Sequence, residues 1–371
     1  MKKTIIAILA VCGVCISYYI GAGFATMQEI VQYEVSYGSL FLVVILVSLA
    51  IYTYTNISFI TNGNRLSLKR GGDIFGVYCS CLGEKVGKVV SVFFDYFSVF
   101  FCYMTFVVMC GGANSTVAQQ WGAPSGAGAV ILAVLVVGTV FFGLDGIVKS
   151  LSNIGPIIII LILIVAVVST VTGLPDFASN LTALNAGEYS DAIEAVGNGS
   201  PILSGASYGG FVVLMFASFL AEIGSNTKLR EAKTGVYLSA AFLACVATAC
   251  CLAIIGHLDI TAMADIPSLV LANQISPLLC HIFAFVIFAG IYTTSVPLLW
   301  ISIRLFSNEG TAKYRILAMV AGTAACIISC IVPYKGLINI IYGINGYLGF
   351  ALVAVMIIYD CKTGMSKKKS A

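Results

Sequence analysis

The first apolar segment of the chain covers residues 5–32 and reads IIAILAVCGVCISYYIGAGFATMQEIVQ. It exceeds the roughly 20 apolar residues that a bilayer crossing requires. Gly21, Ala22 and Gly23 interrupt it beyond its middle. Two glycines separated by one residue lower helix propensity. Unwound backbone at membrane depth is tolerated only where it is buried in protein or lines a cavity. The segment therefore predicts a membrane span that is broken at a site.

The composition extends this prediction to the whole chain. Of its 371 residues, 60% are hydrophobic and only 9% are charged, and the mean hydropathy is +1.02. A soluble domain carries about 25% charged residues, so this chain has too few to cover a surface in water. Soluble enzymes and nucleic-acid-binding proteins are excluded. We expect an all-α polytopic membrane protein that is not an enzyme, with the lipid bilayer as its surroundings and no nucleic acid as a partner.

Apolar runs of sufficient length recur along the sequence. We predict about ten membrane spans, at residues 5–32, 40–60, 89–117, 126–144, 154–173, 208–223, 235–256, 277–303, 316–332 and 337–359.

The basic residues that flank these spans indicate the orientation. All but one fall on the same side of the predicted membrane: Lys2, Lys3, Arg65, Lys69, Arg70, Lys85, Lys88, Lys149, Lys228, Arg230, Lys233, Arg304, Lys313, Arg315, Lys362 and residues 367–369. Lys335 is the exception. Because cytoplasmic loops are enriched in lysine and arginine, we expect both termini to be cytoplasmic in a multi-pass protein of the cell inner (plasma) membrane.

Ten spans divide into two sets of five, and an odd number turns the second set upside down relative to the first. Inverted repeats of this kind are common in secondary transporters, which place their sites on discontinuous helices. Span six carries small residues at 205–210, at a position matching the glycines of span one. Close helix packing is the alternative explanation for such residues. We predict a first repeat at 1–174, an extracellular loop at 175–205, a second repeat at 206–360 and a basic cytoplasmic tail at 361–371.

Several stretches resemble a known family. Residues 21–24 (GAGF) resemble the first-span glycine motif of LeuT-fold transporters of the amino acid–polyamine–organocation superfamily. Residues 21–30 resemble the start of the YkvI-like bacterial membrane proteins in that group. Residues 288–295 resemble span eight of sodium-coupled members, and residues 216–219 and 226–230 resemble span six and its following loop. The resemblance implies ten core helices in two inverted five-helix repeats, a midplane substrate site and alternating access.

The resemblance and the residue chemistry together suggest one set of residues that bind the substrate and a second set that bind sodium. The YkvI-like run usually has a glycine where Met27 stands. The predicted substrate-binding residues are Gly21, Ala22, Gly23, Phe24, Tyr103, Phe216, Ala217, Ser218 and Phe219. The predicted sodium ligands are Ser17, Ile20, Gly290, Thr293 and Thr294, because sodium favours hydroxyl and carbonyl oxygens. The alternative for the hydroxyls is a hydrogen bond to their own helix.

Three carboxylates lie in or near the predicted spans and are candidates for gating or proton transfer: Glu29, Asp95 and Glu222. An ionisable residue at membrane depth is costly, which favours a functional role. Span five contains no charged residue, and this disfavours a proton mechanism based on a lysine there.

These observations predict a sodium-coupled symporter of a small organic solute, an amino acid or related zwitterion, with sodium as coupling ion and no other cofactor. A proton-coupled symporter or exchanger of the same fold is the first alternative. A non-transporting membrane sensor or partner protein is the second. The sequence leaves the identity of the solute and the oligomeric state open.

Overall fold

The computed structural model describes residues 2–66, 73–142 and 154–369, and within them the chain is helical with no strand. Seven of these helices are long and apolar enough to cross a membrane, and a bent pair adds an eighth span. The shorter apolar helices Thr4–Tyr19 and Ala127–Phe141 occupy the places of predicted spans one and four. The all-α polytopic fold is thus confirmed, whereas the division into two inverted repeats stays a prediction.

The first half of the chain begins with an interrupted span. Its helices are α1 Lys2–Tyr19, α2 Ala22–Ala25, α3 Gln28–Tyr33, a 3-10 segment Val35–Leu40, α4 Phe41–Leu66, α5 Asp73–Cys79, α6 Glu84–Trp121, α7 Ala127–Phe142 and α8 Ile154–Asn185.

The second half contains the bent pair and several short connecting helices. Its helices are α9 Pro201–Phe211, α10 Val213–Asn226, α11 Leu229–Gly256, α12 Leu258–Thr261, α13 Pro267–Ile275, α14 Pro277–Arg304, α15 Ala312–Ile331, α16 Tyr334–Leu337, a π-helical turn Ile338–Tyr342 and α17 Gly343–Lys369.

Several helices are longer than the spans predicted for them. Helix α8 continues through Pro175 to Asn185, so residues 186–200 connect it to α9. Helix α9 begins at Pro201 rather than near residue 208, because the Ser200 hydroxyl caps it by accepting from the Leu203 N–H. Proline at the first helical position has no N–H that would need a partner.

Some sequence predictions lie outside the described residues. These are Leu144 at the end of span four and the basic residues Lys69, Arg70 and Lys149. The side chains of Ala22, Lys2, Lys3 and residues 367–369 are also outside the described part.

The small residues of α9 serve helix packing rather than unwinding. Gly205 and Gly209 face the backbone of α4, and Gly210 faces the Gly346 carbonyl of α17. The break in span six lies beyond them, at Val212. Close packing, the alternative explanation, therefore accounts for residues 205–210, because these glycines allow two neighbouring helices to approach α9 closely. The predicted break in span six is present, but it comes after the glycines.

Helices α4 and α10 also touch through glycine. A Cβ on Gly63 would overlap the Ala221 carbonyl, which is backbone and cannot move aside cheaply. We expect Gly63→Val to lower the free energy of unfolding by about 1–3 kcal/mol through overpacking. Gly138→Ala is the control, since nothing lies within 4 Å of a Cβ there. Thermal denaturation in detergent measures both variants. Equal stability of Gly63→Val and wild type would contradict the packing.

Candidate functional site

Span one is interrupted twice. Helix α1 ends at Tyr19, and Ile20 and Gly21 are not helical. Residues Ala22–Ala25 then form a single helical turn, and α3 begins at Gln28. The predicted interruption at the glycines is present, but Gly23 lies within the helical turn. The non-helical backbone is therefore at residues 20–21 and again at residues 26–27.

The second interruption rests on an unusual backbone conformation. Met27 adopts the left-handed conformation, with φ 60° and ψ 4°, and its side chain is fully buried. For a non-glycine residue this conformation costs about 1–2 kcal/mol. The glycine expected here from the YkvI-like resemblance would adopt it without that cost.

Span six is interrupted at a matching place. Helices α9 and α10 meet at Val212 and are bent by 50° relative to each other. The Asn345 side-chain amide of α17 donates to the Phe211 carbonyl at this break. A side chain thus satisfies a carbonyl at the break, as backbone at membrane depth requires.

A buried carboxylate lies between the two interrupted spans. Glu29 of α3 is 4% exposed, and the Tyr208 hydroxyl of α9 donates to its Oε2 at 3.2 Å. The carboxylate also packs against Gly23, where a Cβ would overlap it, and the Tyr342 hydroxyl is next to the same position. Glu29 therefore connects the break in span one with α9 and with the π-helical turn.

Aromatic rings surround Tyr208, the hydrogen-bond partner of this carboxylate. The Tyr208 ring lies 4.7 Å from that of Tyr33 and 5.7 Å from that of Phe211. Phe211 in turn stacks on Tyr342 at 4.6 Å, and Tyr19 meets Tyr208 edge-on at 5.7 Å. The result is an apolar environment with phenolic hydroxyls at its edges, which suits a small amphiphilic ligand.

A second buried carboxylate escaped the sequence analysis. Glu34 is 1% exposed, and the Cys251 thiol of α11 donates to its Oε2 at 3.1 Å. It was missed because the predicted span ended at residue 32. Its position only five residues after Glu29 could have indicated it, because both carboxylates then belong to one short segment.

Neither carboxylate has a basic partner in the described part of the chain. The ion pair found there joins Arg304 to Glu309 at 2.7 Å, far from the breaks in sequence. Among the same residues, no group of three or more His, Cys, Asp or Glu side chains could hold a metal ion. A buried carboxylate requires compensation by a cation, a proton or hydrogen bonds, and Glu29 and Glu34 each have one described hydrogen bond.

The side predicted to be extracellular is closed over the break. The Thr26 hydroxyl lies 3.2 Å from that of Tyr334, and the Thr26 carbonyl accepts from the Ser268 N–H. Gln32 donates to the Lys335 carbonyl at 3.0 Å. Helices α13 and α16 thus cover the second interruption of span one from that side.

The predicted substrate residues divide into two groups. Gly23 and Phe24 lie at the break, and Phe24 is buried beside Tyr19. Ala217 is buried, and Phe216 stacks on Tyr18 at 4.2 Å at the end of α1. Gly21 is half-buried with open space around it, and Ser218 is half-buried on α10.

Two predicted substrate residues point elsewhere. Tyr103 donates its hydroxyl to the Ala321 carbonyl of α15 at 3.1 Å, so it faces a neighbouring span and not the break. Phe219 is 44% exposed on the outer surface of α10. Both corrections have the same reason. The helical repeat points these side chains away from the break, and their position along the sequence does not determine that direction.

The two hydroxyls predicted to bind sodium form hydrogen bonds within their own helix. Thr293 and Thr294 both donate to the Gly290 carbonyl, at 2.8 and 2.9 Å. Helix α14, which carries them, packs against α2. Ile20 is buried, and Ser17 is exposed. The alternative prediction, a hydrogen bond to their own helix, thus holds for both hydroxyls. Their oxygens retain lone pairs that can coordinate an ion.

Of the three predicted carboxylates, Glu29 alone is buried. Asp95 is exposed on α6, and Glu222 is exposed near the end of α10. A gating or proton role is therefore best argued for Glu29.

Comparisons with known proteins reveal distant structural similarity. No family model matches the sequence, and no curated protein matches it. The fold is similar to crystal structures of the Eremococcus coleocola manganese transporter, two of them variants and one a complex with an aromatic bis-isothiourea substituted compound. Each is 12% identical, with 98% of this chain and 73% of theirs covered, at a TM-score of 0.41. At this TM-score the similarity does not extend to a site or a substrate.

The left-handed conformation of Met27 should reverse the usual effects of glycine and alanine on stability. In a helix interior, glycine destabilises a protein by about 1 kcal/mol relative to alanine. At φ 60° alanine bears the steric cost and glycine does not. We expect both Met27→Ala and Met27→Gly to be destabilised by the lost side chain, with Met27→Gly the more stable of the two by about 1 kcal/mol. Thermal unfolding of the two variants tests this, and the opposite order would contradict the backbone geometry.

Proposed function

We propose that this chain is a secondary active transporter of a small organic solute, an amino acid or related zwitterion, with sodium as coupling ion. One observation carries the proposal: two interrupted spans meet at a buried carboxylate, where the Tyr208 hydroxyl of α9 donates to Glu29 of α3. Discontinuous helices that meet inside a membrane are the usual setting of transporter sites.

The chemistry of this meeting point suits a zwitterion. Glu29 supplies a negative charge for a substrate ammonium group, and such a partner would compensate the buried carboxylate. The N–H group at Gly21, where a Cβ would meet nothing within 4 Å, suits a substrate carboxylate. The surrounding aromatic rings suit an apolar side chain.

Support for sodium coupling comes from Thr293 and Thr294 on α14, which packs against α2. Their hydroxyl oxygens and the Ile20 carbonyl are ligands of the kind that a hard cation favours. A sodium ion held by both elements would tie α14 to the break in span one. Such an ion shifts the conformational equilibrium only through its different affinities for the two states.

Proton coupling is the second candidate, and Glu34 favours it. Two carboxylates, Glu29 and Glu34, are buried within one short segment, with no Lys or Arg paired to either in the described residues. A proton could compensate a buried carboxylate in place of a metal cation. The acid partner would then be Glu29 or Glu34 rather than a lysine in span five.

Uptake into proteoliposomes separates these candidates. Radiolabelled amino acids are offered with an inward sodium gradient, with choline in place of sodium, and with an imposed proton gradient. Uptake that requires sodium supports the sodium proposal. Uptake that persists in choline and collapses with the proton gradient supports proton coupling. Absence of uptake of any offered solute, in a protein whose solutes still raise its melting temperature, would indicate a sensor.

Glu29 gives the sharpest mutational test of the site. Glu29→Gln preserves the size of the side chain but removes its charge, so an ammonium group loses its partner. We expect uptake to fall about 100-fold, in line with 2–5 kcal/mol for truncating a buried charge pair. Glu222→Gln is the control, because Glu222 is exposed. Wild-type uptake by Glu29→Gln would contradict a role for the carboxylate.

Thr293→Ala and Thr294→Ala test the ion site. Sodium and substrate affinities should weaken together, because coupling between two sites is reciprocal. We expect the sodium concentration for half-maximal uptake to rise at least fivefold. Thr234→Ala is the control, since Thr234 is exposed and its hydroxyl donates to the Arg230 carbonyl of its own helix. An unchanged sodium dependence in both variants would exclude these hydroxyls.

A further inference from the structure

A long groove lies on the outside of the protein, along α4. It has a volume of about 770 Å³ and follows α4 from Leu46 to Arg65, between α11 and α17. At a rise of about 1.5 Å per residue, this stretch of α4 is about 28 Å long. One leaflet with its headgroups is about 20–22 Å thick, so the groove is long enough for a whole membrane lipid.

Most of the groove wall is apolar and open to the surroundings. Leu46 is 68% exposed and Tyr237 is 58% exposed, while Leu49 forms part of the floor at 9%. Ala50 and Ile57 continue the same wall. In a membrane span these exposed side chains face lipid, so an acyl chain can enter the groove from the side.

One end of the groove carries two opposite charges. Asp360 accepts hydrogen bonds from the Tyr54 and Ser58 hydroxyls at 2.9 and 2.8 Å. Both bonds end at Oδ2, so the two hydroxyls hold the carboxylate in place at this end of the groove. Arg65 donates to the hydroxyl of Tyr359 at 2.8 Å. Tyr359 is the residue before Asp360 on α17, and this bond positions the guanidinium at the same end of the groove.

Buried polar groups support this end from below. Ser58 is 6% exposed and Asn62 is 4% exposed, and both contact the Tyr78 hydroxyl, at 2.8 and 3.0 Å. The charged end of the groove is therefore built on an ordered network. It also lies at the predicted cytoplasmic ends of α4 and α17.

We propose that this groove binds one phospholipid whose headgroup carries a primary ammonium, as in phosphatidylethanolamine. Arg65 would bind the phosphate, and Asp360 would accept a hydrogen bond from the ammonium. The acyl chain would lie along the apolar wall of α4. Charge complementarity selects this occupant: an anionic headgroup without an amine brings no positive charge to Asp360, and a quaternary amine cannot donate a hydrogen bond to it.

Native mass spectrometry of the delipidated protein tests the proposal. Phosphatidylethanolamine, phosphatidylcholine and phosphatidylglycerol are added separately at equal concentrations. We expect one bound phosphatidylethanolamine, with an apparent affinity at least tenfold higher than for either other lipid. Equal retention of all three lipids by the wild type would overturn the proposal.

Variants assign the two headgroup contacts. Arg65→Gln should weaken binding of all three lipids at least tenfold, and Asp360→Asn should remove the preference for phosphatidylethanolamine over phosphatidylcholine. Arg315→Gln is the matched control, because Arg315 is exposed on α15 and does not line the groove. Ala50→Trp fills the apolar part of the groove, one helical turn before Tyr54, and should abolish retention even if Asp360→Asn fails to fold. Wild-type retention by Ala50→Trp would place the lipid elsewhere.

Discussion

The contact between Glu29 and Tyr208 joins the two parts of the protein that depart from regular helix. An ionised side chain inside a membrane protein is costly unless it is compensated, and the described residues offer Glu29 a phenol and no lysine or arginine within 4.0 Å. The break in span one, the aromatic rings around it and the bend at Val212 all surround this group. We propose that a ligand cation, a coupling ion or a proton compensates the carboxylate during transport.

The rest of the fold holds these elements in place through close backbone contact. Helix α9 lies against α4 and α17 where Gly205 and Gly210 leave no room for a side chain. The chain therefore uses glycine in two ways. In span one, Gly21 stands at an interruption; in α9, the glycines bring helices together, and the interruption comes later, where the Asn345 side chain satisfies a carbonyl.

The sequence was sufficient to predict what depends on composition and run length. Apolar runs predicted the places of the spans, and the glycines of residues 21–23 predicted the break in span one. The direction in which a side chain points could not be predicted from position along a span. Tyr103 bonds a neighbouring span and Phe219 is exposed on the outer surface, although both lie on predicted site spans. Glu34 was missed because it lies just past an apolar run, and its burial results from tertiary contact with Cys251 on a distant helix.

Infrared difference spectroscopy of the reconstituted protein tests most directly whether the Glu29 carboxylate is the binding group. Spectra recorded on addition of sodium, and then of an amino acid that the protein takes up, should contain carboxylate bands in the wild type that are missing from Glu29→Gln. Identical difference spectra for the two proteins would contradict the account, because ligand binding would then leave the environment of this side chain unchanged.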